Sequence, residues 1–550
     1  MILIKINLGF NHHKYLDQKM KIKIKVVLFI TMAFHLVGSA QNVEGEFLIQ
    51  PYLQDAEPNS IKIMWETSVG EESIVEWGLT PKLGKKTKGI AYDINFSESR
   101  IHEVKLEGLK RFTEYYYRVK TGKVVSDVFQ FKTPPFASDH ESFKIVAMSD
   151  MQIDHNNPNK FSEVVNDGIL QYLEKEFGGN LPSNLAMVMI PGDLVENGTK
   201  YFQWKEHFFN PAEKLFSEVP VYPVLGNHEK NSVFYFKYFS LPENGTPAYA
   251  EHWWFKDYGN TRIIGLNSND GYNNSRDQYE WLQKLLDETA KNEEVDFVFA
   301  QLHHPHKSEL WIPGEEDFTG KVVALLEAFT TKTGKPSIHF FGHTHGYSRG
   351  QSKDHKHLWI NVASAGGAID NWGEFEGRDY DEFTVTQDEY GFVMVEVDAN
   401  QQDPKFTIKR ISQGNEELER KNELRDSLVI FKNERKPGVP SVISPNNETV
   451  DFTGTILKAG DFNSSFSNAF HAASHWQVAE SNDFEKPIFD SWKQYENWYY
   501  KENRQKGDDL TDEETNRLKS NTTYYWRVRY RDQNLNWSDW STTATFMTNN

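Results

Sequence analysis

Ile338–Arg349 reads IHFFGHTHGYSR: a short apolar run that stops at a glycine and is followed at once by two histidines one residue apart. An apolar run of this length, cut off by a glycine turn, reads as a buried strand. Side chains just past the carboxyl ends of buried strands are where ligands gather in layered α/β folds. The same pattern recurs upstream. FKIVAMS (Phe143–Ser149) leads to Asp150 and Gln152, LAMVMI (Leu185–Ile190) to Asp193, VYPVL (Val221–Leu225) to Asn227 and His228, and VDFVFAQL (Val295–Leu302) to His303, His304 and His306. Between these runs apolar residues fall at helical spacing: Phe161, Val164, Val165, Ile169 and Leu173; Tyr279, Leu282, Leu285 and Leu286; Val322, Val323, Leu325, Leu326 and Phe329. Alternating strands and helices predict a layered α/β domain with largely parallel pairing over residues 139–412. Five strand ends then aim metal-capable groups at one crevice. The glycines before Asp193, Asn227 and His343 permit the tight turns this requires.

The bulk composition narrows the chemistry. A chain of 550 residues is too long for one core and predicts about three domains. Its net charge of −19 argues against a nucleic-acid or anionic-membrane partner, but not against a phosphorylated substrate beside bound cations. With no cysteine, any metal must rest on His, Asp, Glu, Asn, Gln or Tyr. The basic stretch Lys19–Lys25, the apolar run VVLFITMAF and the small residues Gly38, Ser39 and Ala40 read as a secretory leader over 1–40. No later stretch is long and apolar enough to cross a bilayer as a helix.

Both flanks carry one internal repeat. Leu109–Lys120 reads LKRFTEYYYRVK and Leu518–Arg529 reads LKSNTTYYWRVR, each followed by a strand ending in Phe-x-Thr. Alternation places Tyr115, Tyr117 and Val119 on one strand face, and likewise Tyr524, Trp526 and Val528. The leading tyrosine is placed to tie the preceding loop back to the sheet. These segments resemble fibronectin type III sandwiches, at 44–136 and 437–550. The first also carries QPYLQ, SIKIMWET and VEWG, a set similar to the N-terminal module of purple acid phosphatases. The second ends in WSDWS (Trp537–Ser541), similar to the box of cytokine-receptor modules, with Arg527, Arg529 and Arg531 alternating so that Arg–Trp stacking is expected. The charged stretch 413–436 reads as a linker or edge segment.

In the middle domain GD, GNHE, HxP and GHxH occur in that order, the last extending to HxHxYxR. This set resembles the calcineurin-like metallophosphoesterase superfamily and, within it, the purple acid phosphatases. The resemblance implies two packed mixed sheets flanked by helices, and two divalent metal ions (Mn, Fe, Zn, Mg or Ca). Asp193 would bridge them, Asp150, Gln152 and His345 would complete one site, and Asn227, His303 and His343 the other. His228 would serve the leaving oxygen, a hydroxide between the metals would attack, and His304, Tyr347 and Arg349 are candidates for substrate or supporting contacts.

Two residues depart from the family pattern. Gln152 stands where most relatives have histidine. Glu196 stands three residues after Asp193, where purple acid phosphatases place the tyrosine that colours the iron, so the chromophore is expected to be absent. The expected activity is secreted hydrolysis of phosphate esters, monoesters first. The rivals are a phosphodiesterase on the same site and a non-enzymatic adhesion or carbohydrate-binding protein. Specificity is expected from Asn371–Tyr380 and Trp253–Trp254. The flanking modules are expected to be dispensable for chemistry, since every candidate ligand lies between Asp150 and His345.

Overall fold

A computed structural model describes residues 45–94, 98–269, 271, 275–375, 379–496, 498–499, 502–503, 505–516 and 518–550. The leader read at 1–40 lies outside the described residues. All counts of strands below refer to the described residues.

The first module is a β-sandwich. One sheet runs in the order Phe47–Glu57, Ser60–Thr67, Arg100–Glu107, Ile90–Asp93; the other centres on Ile74–Gly78 and Glu114–Thr121. Strand alternation turns Ile61, Ile63, Trp65, Val75, Trp77, Tyr115, Tyr117 and Val119 into one shared core. The repeat behaves alike at both ends of the chain. Tyr115 Oη accepts the Lys110 backbone N–H at 2.8 Å, and Tyr524 Oη accepts that of Lys519 at 2.9 Å. Both tyrosines close the corner their sequence positions predict.

The central domain packs two mixed sheets face to face. A six-stranded sheet has the order Val221–Pro223, Met187–Ile190, Phe143–Ala147, Tyr390–Asp398, Lys405–Gly414, Glu419–Phe431. A seven-stranded sheet has the order Trp254–Tyr258, Thr261–Gly265, Phe297–Gln301, Ser337–Phe341, His357–Asn361, Tyr347–Gly350, Phe383–Gln387. The strands that lead into the candidate site are parallel to one another within each sheet; the six-stranded sheet turns antiparallel at its centre, where Phe143–Ala147 pairs with Tyr390–Asp398, and stays so through the C-terminal hairpins. Ile145, Met189, Val393 and Ile408 from one sheet pack with Phe297, Phe299, Ile338 and Phe340 from the other. Outside, helices Ser275–Lys291 and Asp317–Thr333 bury Leu282, Leu286, Val322 and Leu326 on the second sheet. The continuous helical run over Lys160–Glu163, Val164–Leu170 and Gln171–Phe177, with a π-helical middle, covers the first.

The stretch 413–436 is not a linker. Most of it forms Glu419–Phe431, the edge strand of the six-stranded sheet, paired antiparallel with Lys405–Gly414. Glu419, Lys421, Glu423 and Arg425 meet solvent, as on an edge strand, while Asp426, Leu428 and Ile430 turn inward. The last module is a second sandwich, with Leu457, Trp476, Val478, Tyr524, Trp526, Val528 and Phe546 inside. Arg527 lies 4.2 Å from the Trp540 ring, Arg529 4.5 Å from Trp537 and 4.6 Å from Trp540, and Arg531 5.2 Å from Trp537. The stacking expected from WSDWS is present. No helix among the described residues is long and apolar enough to cross a membrane.

Candidate metal centre

Asp150, Asp193 and His343 follow their strands with φ of 62°, 55° and 71°, left-handed values that residues with a Cβ adopt at a cost. Each of these bends turns a side chain back over the sheet edge. The neighbouring glycines act mainly through space. A Cβ on Gly226 would lie 2.1 Å from Asp193 Oδ1, one on Gly342 2.4 Å from Asp150 Oδ2, and one on Gly192 2.7 Å from His303 Nδ1. Only Gly192, with φ of 90°, also supplies the positive turn predicted for all three.

The side chains meet in two adjoining groups. In one, His303 donates Nδ1–H to the Pro191 carbonyl at 2.9 Å, so its neutral ring turns the Nε2 lone pair inward. Asn227 Oδ1 lies 2.9 Å from that atom, His343 Nδ1 3.1 Å and Asp193 Oδ2 3.2 Å. In the other, His345 donates Nδ1–H to the Ala368 carbonyl at 2.6 Å, and its Nε2 lies 3.2 Å from Asp150 Oδ1 and 3.0 Å from the Gln152 amide. Asp150, Asp193 and His303 present ligand atoms all within 4.8 Å of one another, so the two groups share a border. Asp150, Asp193 and His303 are buried, whereas Asn227 is exposed at the rim.

Acceptor facing acceptor is unfavourable unless a proton or a cation stands between them. With protons alone, His303 is pushed up to about 9: burial favours its neutral form, but Asp193, Asp150 and the Pro191 carbonyl together outweigh burial. His345 is likewise pushed up to about 9, Asp150 outweighing burial. His343 falls to about 3 through burial and the neighbouring His303. Gln152 Oε1 is buried without a hydrogen-bond partner. Turning the amide over would bring that oxygen to the His345 Nε2 side of the pocket, and a cation there would satisfy both. The donor set therefore fits two cations.

Beside this set, His228 donates Nδ1–H to the Glu196 carbonyl at 2.6 Å, which leaves Nε2 3.8 Å from Asp193 Oδ2 with the side chain 33% exposed. Its backbone N–H donates to Asp193 Oδ1 at 3.0 Å. His304 sits at the wall: Ser268 Oγ lies 2.9 Å from its Nδ1, and its ring is 4.4 Å from that of His343. Burial, then His303, holds it down to about 3. His306 turns away to Trp359.

Tyr347 and Arg349 take their partner from the C-terminal edge strand. Both are buried and bound to Asp426, Tyr347 Oη at 2.7 Å and Arg349 at 2.6 and 3.1 Å. Asp426 belongs to the edge strand that reads as a linker, so its pairing with them lay outside any local pattern. Trp253 and Trp254 are fully buried at the start of an edge strand. Trp372, in the other expected specificity loop, is 6% exposed.

The structure adds residues that the motifs left unassigned. Glu229 accepts the backbone N–H groups of Asp193, Leu194 and Gly226 at 2.9, 2.8 and 2.7 Å, tying two ligand turns together. Its place directly after GNH was the available signal. Asp370 accepts the His345 N–H at 2.7 Å, and Trp311 packs its ring 5.1 Å from that of His343. Neither stands in a recognisable pattern.

Comparison with known families agrees with this geometry. Residues 143–347 match the calcineurin-like phosphoesterase family and 49–133 the N-terminal domain of purple acid phosphatases. The chain carries a calcineurin-like metallophosphoesterase domain. Residues 463–549 match the Rha78A-like N-terminal immunoglobulin domain. Purple acid phosphatase 15 of Arabidopsis thaliana is 25% identical over 338 residues, covering 56% of this chain and 60% of that protein. The Fe(3+)-Zn(2+) purple acid phosphatase 12 of the same plant is 24% identical over 310 residues, covering 54% and 63%. The chain thus spans about 60% of the length of the first of these relatives. Among solved structures, a purple acid phosphatase from yellow lupin seeds superposes with a TM-score of 0.54 at 17% identity, over 69% of this chain and 73% of that one. That likeness is one of fold. The metallophosphoesterase domain accounts for the strand ends, their order and the layering of the sheets.

Proposed function

We propose that this chain is a secreted phosphoesterase that hydrolyses phosphate esters, monoesters in preference, at a two-metal centre. The observation that carries this reading is the inward convergence of Asp193 Oδ2, Asn227 Oδ1 and His343 Nδ1 on His303 Nε2, an arrangement made favourable by a cation. Asp193, Asn227, His303 and His343 would hold one ion. Asp150, Gln152 and His345 would hold the second, with Asp193 facing both. Two divalent ions in such a site supply a nucleophile near neutral pH and neutralise the phosphoryl oxygens.

The chain's own groups do the positioning and proton work. Glu229 and the left-handed turns hold the ligands fixed before substrate arrives, so little reorganisation is left to the reaction itself. His228, oriented by the Glu196 carbonyl, keeps Nε2 open toward the site and can carry a proton there for the leaving oxygen. Neutral His304, backed by Ser268, closes one wall. Secretion is supported by the leader-like composition of 1–40.

The test is metal analysis of the purified protein together with a screen of mono- and diesters. Aryl phosphate should be hydrolysed, the activity should vanish on chelation and return with added divalent cation, and diesters should turn over more slowly. A metal-loaded protein that cleaves no phosphate ester would sink the proposal.

A further inference from the structure

The C-terminal module does not hang free. Gln494, at the end of its edge strand Phe489–Gln494, is 6% exposed and lies at the seam with the metallophosphoesterase domain. Its Oε1 accepts from Thr384 Oγ1 at 2.9 Å and from Arg531 at 2.8 Å, and its Nε2 donates to the Asp381 carbonyl at 2.8 Å. Around it, Trp537 Nε1 donates to the Lys353 carbonyl at 2.8 Å, Lys353 pairs with Asp490 at 2.6 Å, and Arg529 pairs with Asp354. Arg529 and Trp537 are rungs of the Arg–Trp ladder, so the ladder also forms part of the docking face.

The segment that Gln494 clamps anchors a second loop. Buried Glu309 accepts the Tyr380 N–H at 2.9 Å and Thr386 Oγ1 at 2.7 Å. Glu315 accepts Tyr380 Oη at 2.9 Å, and Lys307 pairs with Glu382 at 2.6 Å. The loop these residues hold, 307–315, carries Trp311 against His343. It also carries Gly314, where a Cβ would lie 2.7 Å from His343 Cδ2. Contact therefore passes from Gln494 to the segment Asp381–Thr384, through Tyr380 and Thr386 to Glu309, and through Trp311 to His343. A contiguous packed and hydrogen-bonded route of this kind is able to carry coupling between distant sites.

We infer that the C-terminal module is a positioning element of the metal centre, and that Gln494 is the residue through which it holds the Trp311 wall against His343. Removing the Gln494 amide leaves Arg531 and the Asp381 carbonyl buried without this partner, so the seam must loosen or open. The ligand positions alone leave the module dispensable for turnover; this seam would act on placement of the wall.

The effect on turnover rests on the phosphoesterase reading; the effect on the loop does not. The full chain is compared with Gln494→Leu, with Thr384→Val, which cuts the same seam from the other side without touching the module's fold, and with Arg527→Ala. The partners of Arg527, namely Gln477, Phe484 and Trp540, all lie inside the module. Hydrogen exchange is read by segment, with metal content and kinetics on an aryl phosphate. Gln494→Leu and Thr384→Val should both speed exchange in 379–387 and 307–315 and raise KM about fivefold, with kcat within about twofold and metal content unchanged. Arg527→Ala should do neither. Faster exchange confined to the module, or equal effects from Arg527→Ala, would overturn the inference. If the parent protein cleaves no ester, the exchange results alone decide it.

Discussion

His303 and His345 occupy matching places in the two halves of the centre, yet they are built into different company. His303 faces an imidazole, an amide oxygen and a carboxylate, whereas His345 faces a carboxylate and the Gln152 amide. One half is rich in nitrogen and backed by the Trp311 wall; the other is nearly all oxygen. Softer donors favour zinc-like ions, and oxygen donors favour manganese, magnesium or calcium. The difference teaches that one centre can ask for two unlike cations. Asp150 also joins the halves, because its carboxylate accepts the His343 N–H at 3.1 Å.

The largest effects should come from removing what both halves share or what the nitrogen-rich half depends on. Asp193→Asn and His343→Ala should each lower turnover by about 10³-fold or more, since several kcal/mol of charge stabilisation disappear with the paired ions. If either variant kept more than about a tenth of the parent rate, the pairing of the halves through Asp193 would be wrong.

His228 belongs to neither half, and its loss should look different. His228→Ala should cut kcat by about 10²–10⁴ while metal content stays unchanged. Esters with good leaving groups should suffer less, because they need less protonation. Equal losses across leaving groups would point to a positional role for the ring.

Gln152 tests the comparison itself. The protein should hold one metal tightly and a second weakly, and Gln152→His should tighten the weak site by roughly tenfold or more. A titration that gives two equally tight sites, unaltered by Gln152→Ala, would remove the distinction between the halves.

The strand ends were legible because burial imposes apolar runs and close packing at the strand ends imposes glycines, and both signals are local. The corner tyrosines were legible for the same reason, through strand alternation and a repeat at the two ends of the chain. What was not legible depends on partners far away in sequence. The charged stretch around Glu419–Phe431 leaves linker and edge segment both open because an edge strand keeps much of its surface in water, and only pairing with Lys405–Gly414 decides for the edge. Tyr347 and Arg349 read as candidates for substrate or supporting contacts because they follow GHTH closely; their partner Asp426, 77 residues beyond Arg349, has no signal near them in the sequence. Nothing local to Gln494 announces a hub, since Thr384 and Asp381 come from a different domain and Arg531 lies 37 residues away.

The smallest effect concerns the wall that only the nitrogen-rich half possesses. Burial pushes the Glu309 carboxyl up to about 8, although Thr386 and the Tyr380 N–H favour its charged form. A carboxyl whose folded value lies above its ordinary range stabilises the fold fully below that range and loses the contribution as pH rises toward the folded value. The anchorage of loop 307–315 should therefore weaken between about pH 5 and pH 8, because the carboxyl ionises when released while the buried one stays neutral. Glu309→Gln stays neutral, with an amide oxygen that can still accept at least one of these hydrogen bonds. Exchange of 307–315, corrected for its intrinsic pH dependence, should accelerate over this range in the parent and stay nearly flat in Glu309→Gln. Segments beside Gln152 and Asp370, in the oxygen-rich half, should show no difference between the two proteins. A loop whose protection is equally pH-dependent in both would place the titrating group elsewhere and separate Glu309 from the Trp311 wall.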